Sequence, residues 1–156
     1  MALATPNDLQ LHNGFMASNR PHVVQITNHG IHQWEFIPGL PDTGGQNVFV
    51  NQFTETLADL GFKITICNRG GYKHPTTGEL HTGVHYKDEN QRILYLEDDK
   101  DEFVRKEDMD AQLPALAKFL AEVMTEEGLP VQLMLTHYWV SAKLGVLFNE
   151  HRGEPV

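Results

Sequence analysis

A glycine turn that leads directly into an amphipathic segment constrains this chain more than any other feature. The turn is Pro41-Asp42-Thr43-Gly44-Gly45-Gln46, and the segment covers residues 47–60. Apolar side chains recur in the segment at helical steps and predict one face of a helix: Phe49, Phe53, Leu57 and Leu60. Gly61 follows where such a helix would end. The paired glycines are therefore predicted to lie at a helix N-terminus.

A helix N-terminus preceded by glycines suits an anionic or hydroxyl-rich ligand. First-turn N–H groups have no intrahelical partner, and the helix dipole places partial positive charge beside them. Residues without a side chain also let a ligand approach the main chain. The turn thus predicts a cradle for a phosphate or a sugar. A plain glycine turn capped by Asp42 or Thr43 explains the same spacing, so both interpretations stay open at this point.

Charge and cysteine content narrow the classes of partner and site. The chain has 156 residues, which predicts a single domain, and 12 Lys and Arg against 21 Asp and Glu give a formal charge of -9. This charge argues against nucleic acid as a partner. Cys67 is the single cysteine, so no internal disulfide or multi-cysteine zinc site can form. With no apolar run of transmembrane length and no signal-peptide pattern, we expect a cytoplasmic protein without a membrane span.

The rest of the chain alternates between β-branched runs and helical periodicity. Residues 1–21 are turn-rich and are expected to form a flexible leader, with the folded domain spanning residues 22–156. Strands are predicted at 22–27, 63–67, 83–86, 92–96 and 131–136, and further helices at 113–124 and 140–151. This alternation predicts an α/β fold with a mostly parallel sheet and helices on both faces.

Polar residues follow three of the predicted strands, at the end where ligands bind in such sheets. They are His29-Gly30 after the first strand, Asn68-Arg69 after the second and His137-Tyr138 after the last. Because parallel strands end at one edge, we expect these residues to lie beside the glycine turn. An NAD site is rejected, because the first strand ends in a lone glycine and lacks the G-x-G-x-x-G spacing.

Several histidines have spacings that a zinc site could use. His29 and His32 are three residues apart, and His81 and His85 are four apart. Neither pair has a companion cysteine or a helical H-E-x-x-H pattern, so ordinary loop histidines are the favoured interpretation and no metal is expected. His137 is a stronger candidate for a functional site because it ends a buried strand. A core histidine bonded to the main chain is its alternative.

Four blocks in sequence order carry a resemblance to a known family. They are His29-Gly30, Asp42–Gln46 with Val50 following, Asn68-Arg69 where the family has Thr-Arg, and Thr136–Trp139. With them the chain resembles the N-terminal half of the retaining family-4-type glycosyltransferases that include sucrose-phosphate synthase, sucrose synthase and mannosylfructose-phosphate synthase. A weaker match at residues 99–107 resembles the segment that supplies a lysine to the acceptor phosphate.

The resemblance implies a two-lobed GT-B enzyme in which this Rossmann-like lobe holds the acceptor. A second lobe, absent from the chain, would hold a nucleoside diphosphate sugar such as UDP-glucose or GDP-mannose, and no cofactor is implied. The sugar would pass, with retention, to a hydroxyl of a sugar or sugar phosphate. The implied residues are His137 as the catalytic candidate and, for substrate binding, Gly44, Gly45, Gln46, Arg69, Lys106 and Tyr138.

Two further interpretations come from other functional classes. The first is a non-catalytic sugar-phosphate binding module. The second is a flavodoxin-like or response-regulator-like domain, which would need an acidic cluster at the strand ends that the sequence does not show. If the chain is the acceptor half of an enzyme, we expect it to be inactive alone. The donor, the acceptor and homo-oligomer formation stay open.

Overall fold

The fold is taken from a computed structural model, which describes residues 5–153; residues 1–4 of the expected leader and the last three residues lie outside that range. The helices are α1 (Pro6–Ala17), α2 (Gly45–Asp59), α3 (Leu113–Glu127) and α4 (Trp139–Arg152), and a 3₁₀ helix covers Lys106–Gln112. The strands are β1 (His22–Ile26), β2 (Lys63–Arg69), β3 (Tyr72–Lys73), β4 (Leu80–His81), β5 (Val84–Asp88), β6 (Gln91–Leu96) and β7 (Leu133–Thr136).

The main sheet has the strand order β5-β6-β2-β1-β7. Strands β6, β2, β1 and β7 are parallel, and β5 returns antiparallel along β6. The predicted α/β fold with a mostly parallel sheet is confirmed. The order changes direction at β1, since β2 lies on one side of it and β7 on the other. Such a switch point leaves a crevice at the carboxyl ends of the adjacent strands β1 and β7, where ligands bind in open α/β sheets.

The sheet separates two apolar layers, as predicted from alternating strands and helices. Helix α2 packs Val50 and Leu57 against Ile64 and Ile66 of β2 on one face. Helices α3 and α4 cover the other face with α1, in a core that includes Val24, Leu94, Leu116, Leu144 and Phe148. Alternate residues of each strand therefore face different helices, which explains why the strands read as continuous apolar runs.

Helix α1 corrects the expectation of a flexible leader, which is wrong for Pro6–Ala17. Thr5 caps the helix by accepting a hydrogen bond from the Asp8 N–H. Phe15 is fully buried, with the Arg92 guanidinium 4.4 Å from its ring centroid. The Lys63 ammonium donates to the Phe15 carbonyl at 2.9 Å. One buried aromatic ring and two cations hold α1 in place, so the helical periodicity of the sequence could not reveal the helix.

The other differences from the sequence prediction lie between residues 69 and 133. Strand β2 continues two residues further than predicted, to Arg69, and β7 begins at Leu133. A short hairpin of β3 and β4 was not predicted within the glycine-rich connection. The charged run at residues 97–110 contains the 3₁₀ helix, whose Met109 is buried and fixes its position.

We expect Phe15→Ala to destabilise the domain by about 3–5 kcal/mol, because it removes a fully buried aromatic ring. Leu9→Ala on the same helix is the matched control, since Leu9 is 50% exposed. Urea unfolding followed by circular dichroism measures both variants. Equal stabilities for the two variants would mean that α1 is not part of the cooperative fold.

Candidate functional site at the carboxyl edge

The paired glycines open α2 at the carboxyl edge of the sheet. Gly44 is the N-cap, and its N–H donates to Asn47 Oδ1 at 3.0 Å. Among residues 5–153, the N–H groups of Gly45 and Gln46 have no hydrogen-bond partner. A Cβ placed on Gly44 or Gly45 would meet no atom within 4 Å. The turn therefore offers two free main-chain donors at the positive end of a helix.

Close backbone packing holds the glycine turn against the loop that follows β1. Gly30 has φ +70, and a Cβ there would lie 2.4 Å from the Asp42 carbonyl oxygen. Thr43 Oγ1 accepts from the Ile31 N–H at 2.9 Å and donates to the Pro41 carbonyl at 2.8 Å. Only glycine fits at position 30, so this residue fixes the distance between the β1 loop and the turn.

Two buried amides fasten the same loop to the rest of the sheet edge. Asn68 donates from Nδ2 to the Thr27 carbonyl at 2.6 Å and accepts from the His32 N–H at 3.2 Å. Asn28 accepts at Oδ1 from the Ser141 hydroxyl, which in turn accepts from the Asn28 N–H. Both amide side chains are hydrogen-bonded within the protein, so they hold the sheet edge in place. Other residues are therefore the candidates for contact with a ligand.

A cation and two rings lie next to the turn. The Lys106 ammonium is 5.2 Å from the Tyr138 ring centroid, and the His29 ring is 5.0 Å from that of Tyr138. Asp42 Oδ2 accepts from the Lys106 N–H at 3.1 Å, which joins the 3₁₀ helix to the turn. Tyr138 is 47% exposed and has φ +73, a strained value for a residue with a side chain. The predicted residues Lys106 and Tyr138 are thus brought together.

His137 and Gln46 lie on the other side of the turn. His137 Nε2 pairs with Gln25 Oε1 at 3.0 Å, which makes Nε2 the protonated nitrogen and leaves Nδ1 as an acceptor. The His137 ring also meets the exposed Phe49 ring at 6.1 Å. Gln46 donates from Nε2 to Thr27 Oγ1 at 2.9 Å. Gln46 therefore sits at the end of β1, and His137 directly follows β7, the edge strand beside it.

Arg69 does not belong to this group, and its prediction as a substrate-binding residue is wrong. The side chain is buried and forms a bidentate pair with Asp98, at 2.7 and 2.8 Å. Its remaining contacts are to the carbonyls of Glu102 and Lys100, at 2.9 and 3.1 Å. Arg69 closes the loop after β6, because a buried guanidinium needs a full set of acceptors.

The histidines around the turn are held neutral by burial. Burial and the nearby Lys106 cation lower the pKa of His29, and burial lowers the pKa of His137. Burial also lowers the pKa of His32 to about 4. His32 accepts at Nδ1 from Asn47 Nδ2 at 3.0 Å, an arrangement that a doubly protonated ring could not make. Lys106 is therefore the cation that this group presents at neutral pH.

We call the carboxyl edge around the glycine turn the shelf. Cavities of about 350 and 280 Å³ lie away from it, along α3 and α4. Within residues 5–153, no group of three or more His, Cys, Asp or Glu side chains is placed to hold a metal ion. No helix in the described range is long and apolar enough to cross a membrane.

Two residues of the shelf were not among the predicted site residues. Asp42 ties the turn to Lys106, and Asn47 caps Gly44 while it orders His32. Asn47 had a usable signal, since an amide at the third helical position can bond back to the N-cap N–H. The hydrogen bond from the Lys106 N–H to Asp42 had no such signal in the sequence, because it joins segments 64 residues apart.

Comparisons with known proteins find relatives of this chain. No family model matches the chain. The chain is 31% identical over 139 residues to D-inositol 3-phosphate glycosyltransferase 2 of Catenulispora acidiphila, covering 88% of this chain and 30% of the relative. It is 29% identical over 147 residues to D-inositol 3-phosphate glycosyltransferase of Thermobispora bispora, covering 90% of this chain and 32% of the relative. The chain is a homologue of one part of the family-4 glycosyltransferases.

The solved structures show the fold of this glycosyltransferase domain. Sucrose-phosphate synthase from Thermosynechococcus elongatus superposes with a TM-score of 0.69 at 23% identity, over 84% of this chain and 30% of that one. The resemblance and the Rossmann-like GT-B fold stated from the sequence are thereby confirmed. The domain spans about a third of the length of the curated relatives.

We expect the stability of the domain to fall between pH 7 and pH 5. Burial lowers the pKa of His22 to about 3, of His32 to about 4 and of His81 to about 3. Below 6.5 the unfolded chain binds protons that the folded chain does not, so each ring removes about 2 kcal/mol at pH 5. Urea midpoints across this range measure the loss. Unchanged midpoints would show that the buried rings are protonated in the fold.

Proposed function

We propose that this chain is the acceptor-binding domain of a retaining glycosyltransferase. The complete enzyme would move a sugar from a nucleoside diphosphate sugar to a hydroxyl of a sugar or sugar phosphate. The relatives are named for D-inositol 3-phosphate, so a phosphorylated cyclitol or sugar is the proposed acceptor. No cofactor enters this proposal, and the donor is a second substrate.

The observation that carries the proposal is the placement of Lys106 beside Tyr138 and the open glycine turn. The Lys106 ammonium is 5.2 Å from the Tyr138 ring centroid, and the main-chain N–H of Lys106 donates to Asp42 of the turn. A phosphate accepts hydrogen bonds, and both Lys106 and the free N–H groups of Gly45 and Gln46 donate them. The exposed Tyr138 ring supplies an apolar surface for a sugar ring. One sugar phosphate would use all of these groups together.

The proposed role of the domain in the reaction is positioning and charge stabilisation. The α2 N-terminus would stabilise phosphate charge that develops as the glycosyl bond to the donor breaks. His137 would contact the acceptor hydroxyl through Nδ1, because Nε2 is occupied by Gln25. Holding the acceptor in one orientation lowers the entropic barrier of transfer.

A non-catalytic sugar-phosphate binding module is the alternative that uses the same shelf. We propose that the chain alone binds an acceptor without transferring sugar to it, because the donor site of the proposed enzyme lies in another lobe. Transfer assays on the chain and on the complete gene product distinguish the two functions. Transfer by the complete gene product but not by the chain supports the enzyme. Transfer by neither protein supports the binding module. Transfer by the isolated chain would contradict the placement of the donor site in another lobe.

We expect Lys106→Ala to weaken binding of inositol 3-phosphate about 10- to 100-fold, because a charge-assisted hydrogen bond contributes about 1.5–3 kcal/mol. Calorimetric titration measures the affinity. Binding of unphosphorylated myo-inositol should not change, since only the phosphate contact is removed.

Lys118→Ala on α3 is the matched control for the loss of one positive charge. Lys118 is exposed and pairs with Glu122 on the surface of the same helix. Equal weakening by the two lysine variants would show a general charge effect and would remove Lys106 from the proposed site.

A further inference from the structure

His32 is joined to the glycine turn through Asn47, and its own position is set by two strands of the sheet. The residue is fully buried in the loop that follows β1. Its N–H donates to Asn68 Oδ1 at 3.2 Å, and its carbonyl accepts from the Tyr95 hydroxyl at 2.7 Å. Asn68 belongs to β2 and Tyr95 to β6. The main chain of His32 is therefore fixed without any contribution from its ring.

The two ring nitrogens of His32 contact two amide side chains of α2. Asn47 Nδ2 donates to Nδ1 at 3.0 Å, and Nε2 pairs with Asn51 Oδ1 at 2.8 Å. Asn47 and Asn51 are four residues apart, so they lie on one face of the helix, one turn from each other. Burial lowers the pKa of the ring to about 4, so at neutral pH the ring carries one hydrogen and only one nitrogen can donate.

Main-chain groups fix the orientation of both amides. Asn51 Nδ2 donates to the carbonyls of Gln33 and Trp34, at 3.0 and 3.3 Å, which leaves Oδ1 of this amide for the imidazole ring. At the other end, the N–H of Gly44 donates to Asn47 Oδ1 at 3.0 Å. Nδ2 of Asn47 is then the atom that meets the ring. Neither amide can be turned over without loss of its main-chain bond.

These orientations require one tautomer of His32. Because Asn51 presents an acceptor and Asn47 presents a donor, the ring hydrogen lies on Nε2 and the lone pair on Nδ1. The hydrogen bonds therefore run in one direction, from Gly44 through Asn47 and His32 to Asn51. Bonds linked in this way polarise one another, so the loss of one weakens the next. We call these four residues the cap network.

The cap network holds the main chain that carries the free donors of the turn. Asn47 contacts both peptide groups of Gly44, since its Oδ1 accepts from the Gly44 N–H and its own N–H donates to the Gly44 carbonyl at 3.0 Å. That carbonyl and the N–H of Gly45 belong to one planar peptide group, so fixing the carbonyl fixes the direction of the N–H. Glycine has no Cβ to restrict rotation here, so these two bonds set the orientation.

We propose that His32 is a positioning residue for the acceptor site. Its ring holds Asn47 in the orientation that fixes Gly44, and Gly44 in turn directs the N–H of Gly45 toward the ligand. The inference rests on the proposed function, because it names the residue that prepares the glycine turn for a phosphate. His32 is buried and needs no contact with the ligand. Donors that are already oriented bind more tightly, because binding does not have to order them.

A matched pair of variants separates the two ring nitrogens. In His32→Asn the side-chain oxygen lies near the position of Nδ1 and can still accept from Asn47. The longer side chain in His32→Gln places its amide near Nε2, so it contacts Asn51 and leaves Asn47 without an acceptor. By calorimetry we expect His32→Gln to bind inositol 3-phosphate about fivefold more weakly, for one lost neutral hydrogen bond, and His32→Asn to stay within about twofold of the unaltered chain.

The order of the two affinities decides the inference. Equal affinities, or weaker binding by His32→Asn, would contradict it, because a purely structural role depends on the lost ring and not on which nitrogen is replaced. In that case binding by the unaltered chain leaves the proposed function intact. Absence of binding by the unaltered chain would overturn the proposed function, and this inference with it.

Two further measurements apply even where a His32 variant does not fold. Nitrogen-15 NMR of the unaltered chain should show the hydrogen of His32 on Nε2, and a hydrogen on Nδ1 would overturn the inference. Asn51 is partly exposed, so Asn51→Ala should fold while it frees the ring and weakens inositol 3-phosphate binding about two- to fivefold. Gln52→Ala, at an exposed amide of the same helix, is the matched control. Equal affinities of these two variants would also contradict the inference.

Discussion

The structure depends on the contact between the loop after β1 and the glycine turn before α2. Gly30 places its backbone where a Cβ would be 2.4 Å from the Asp42 carbonyl oxygen, so the two segments touch without side chains between them. This contact sets where α2 begins relative to the sheet. Because β1 is the strand at which the sheet changes direction, the same contact places the N-terminus of α2 at the switch point.

Buried polar groups then fix the surroundings of the turn. Asn68 and Asn28 hold the β1 loop, and the Arg69–Asp98 pair holds the loop after β6. None of these groups is free for a ligand, and removing one partner of a buried pair is costly. Lys106, Tyr138 and His137 lie at this edge and are at least partly exposed. They are the residues to which the proposed function assigns the sugar phosphate.

The sequence was sufficient for the features that depend on local pattern. Periodicity located α2, α3 and α4, and β-branched runs located the parallel strands. As predicted, the glycine turn and the residues that follow β1 and β7 lie together at one edge of the sheet. Helix α1 could not be found this way, because its attachment is one buried ring and two cations from distant strands. Contacts between segments that are far apart in sequence leave no periodic signal.

Arg69 shows the limit of assigning roles at a strand end. A cation after a parallel strand is expected to face ligand, yet here the acidic run that follows β6 supplies its partner. Lys106, in the same charged run, lies beside the turn. The difference is set by Met109, which anchors the 3₁₀ helix in the core and directs Lys106 to the shelf. The different positions of Arg69 and Lys106 could be established only from the folded structure.

The most direct test of the account is the affinity of Gly45→Val for inositol 3-phosphate. A side chain at Gly45 meets no neighbouring atom, so the variant should fold with unchanged helical content while it covers the free N–H groups of the turn. Calorimetry should then show loss of binding by at least about tenfold, the value of one charge-assisted hydrogen bond. Unchanged affinity in a folded variant would contradict the claim that the main chain at the mouth of α2 binds the acceptor.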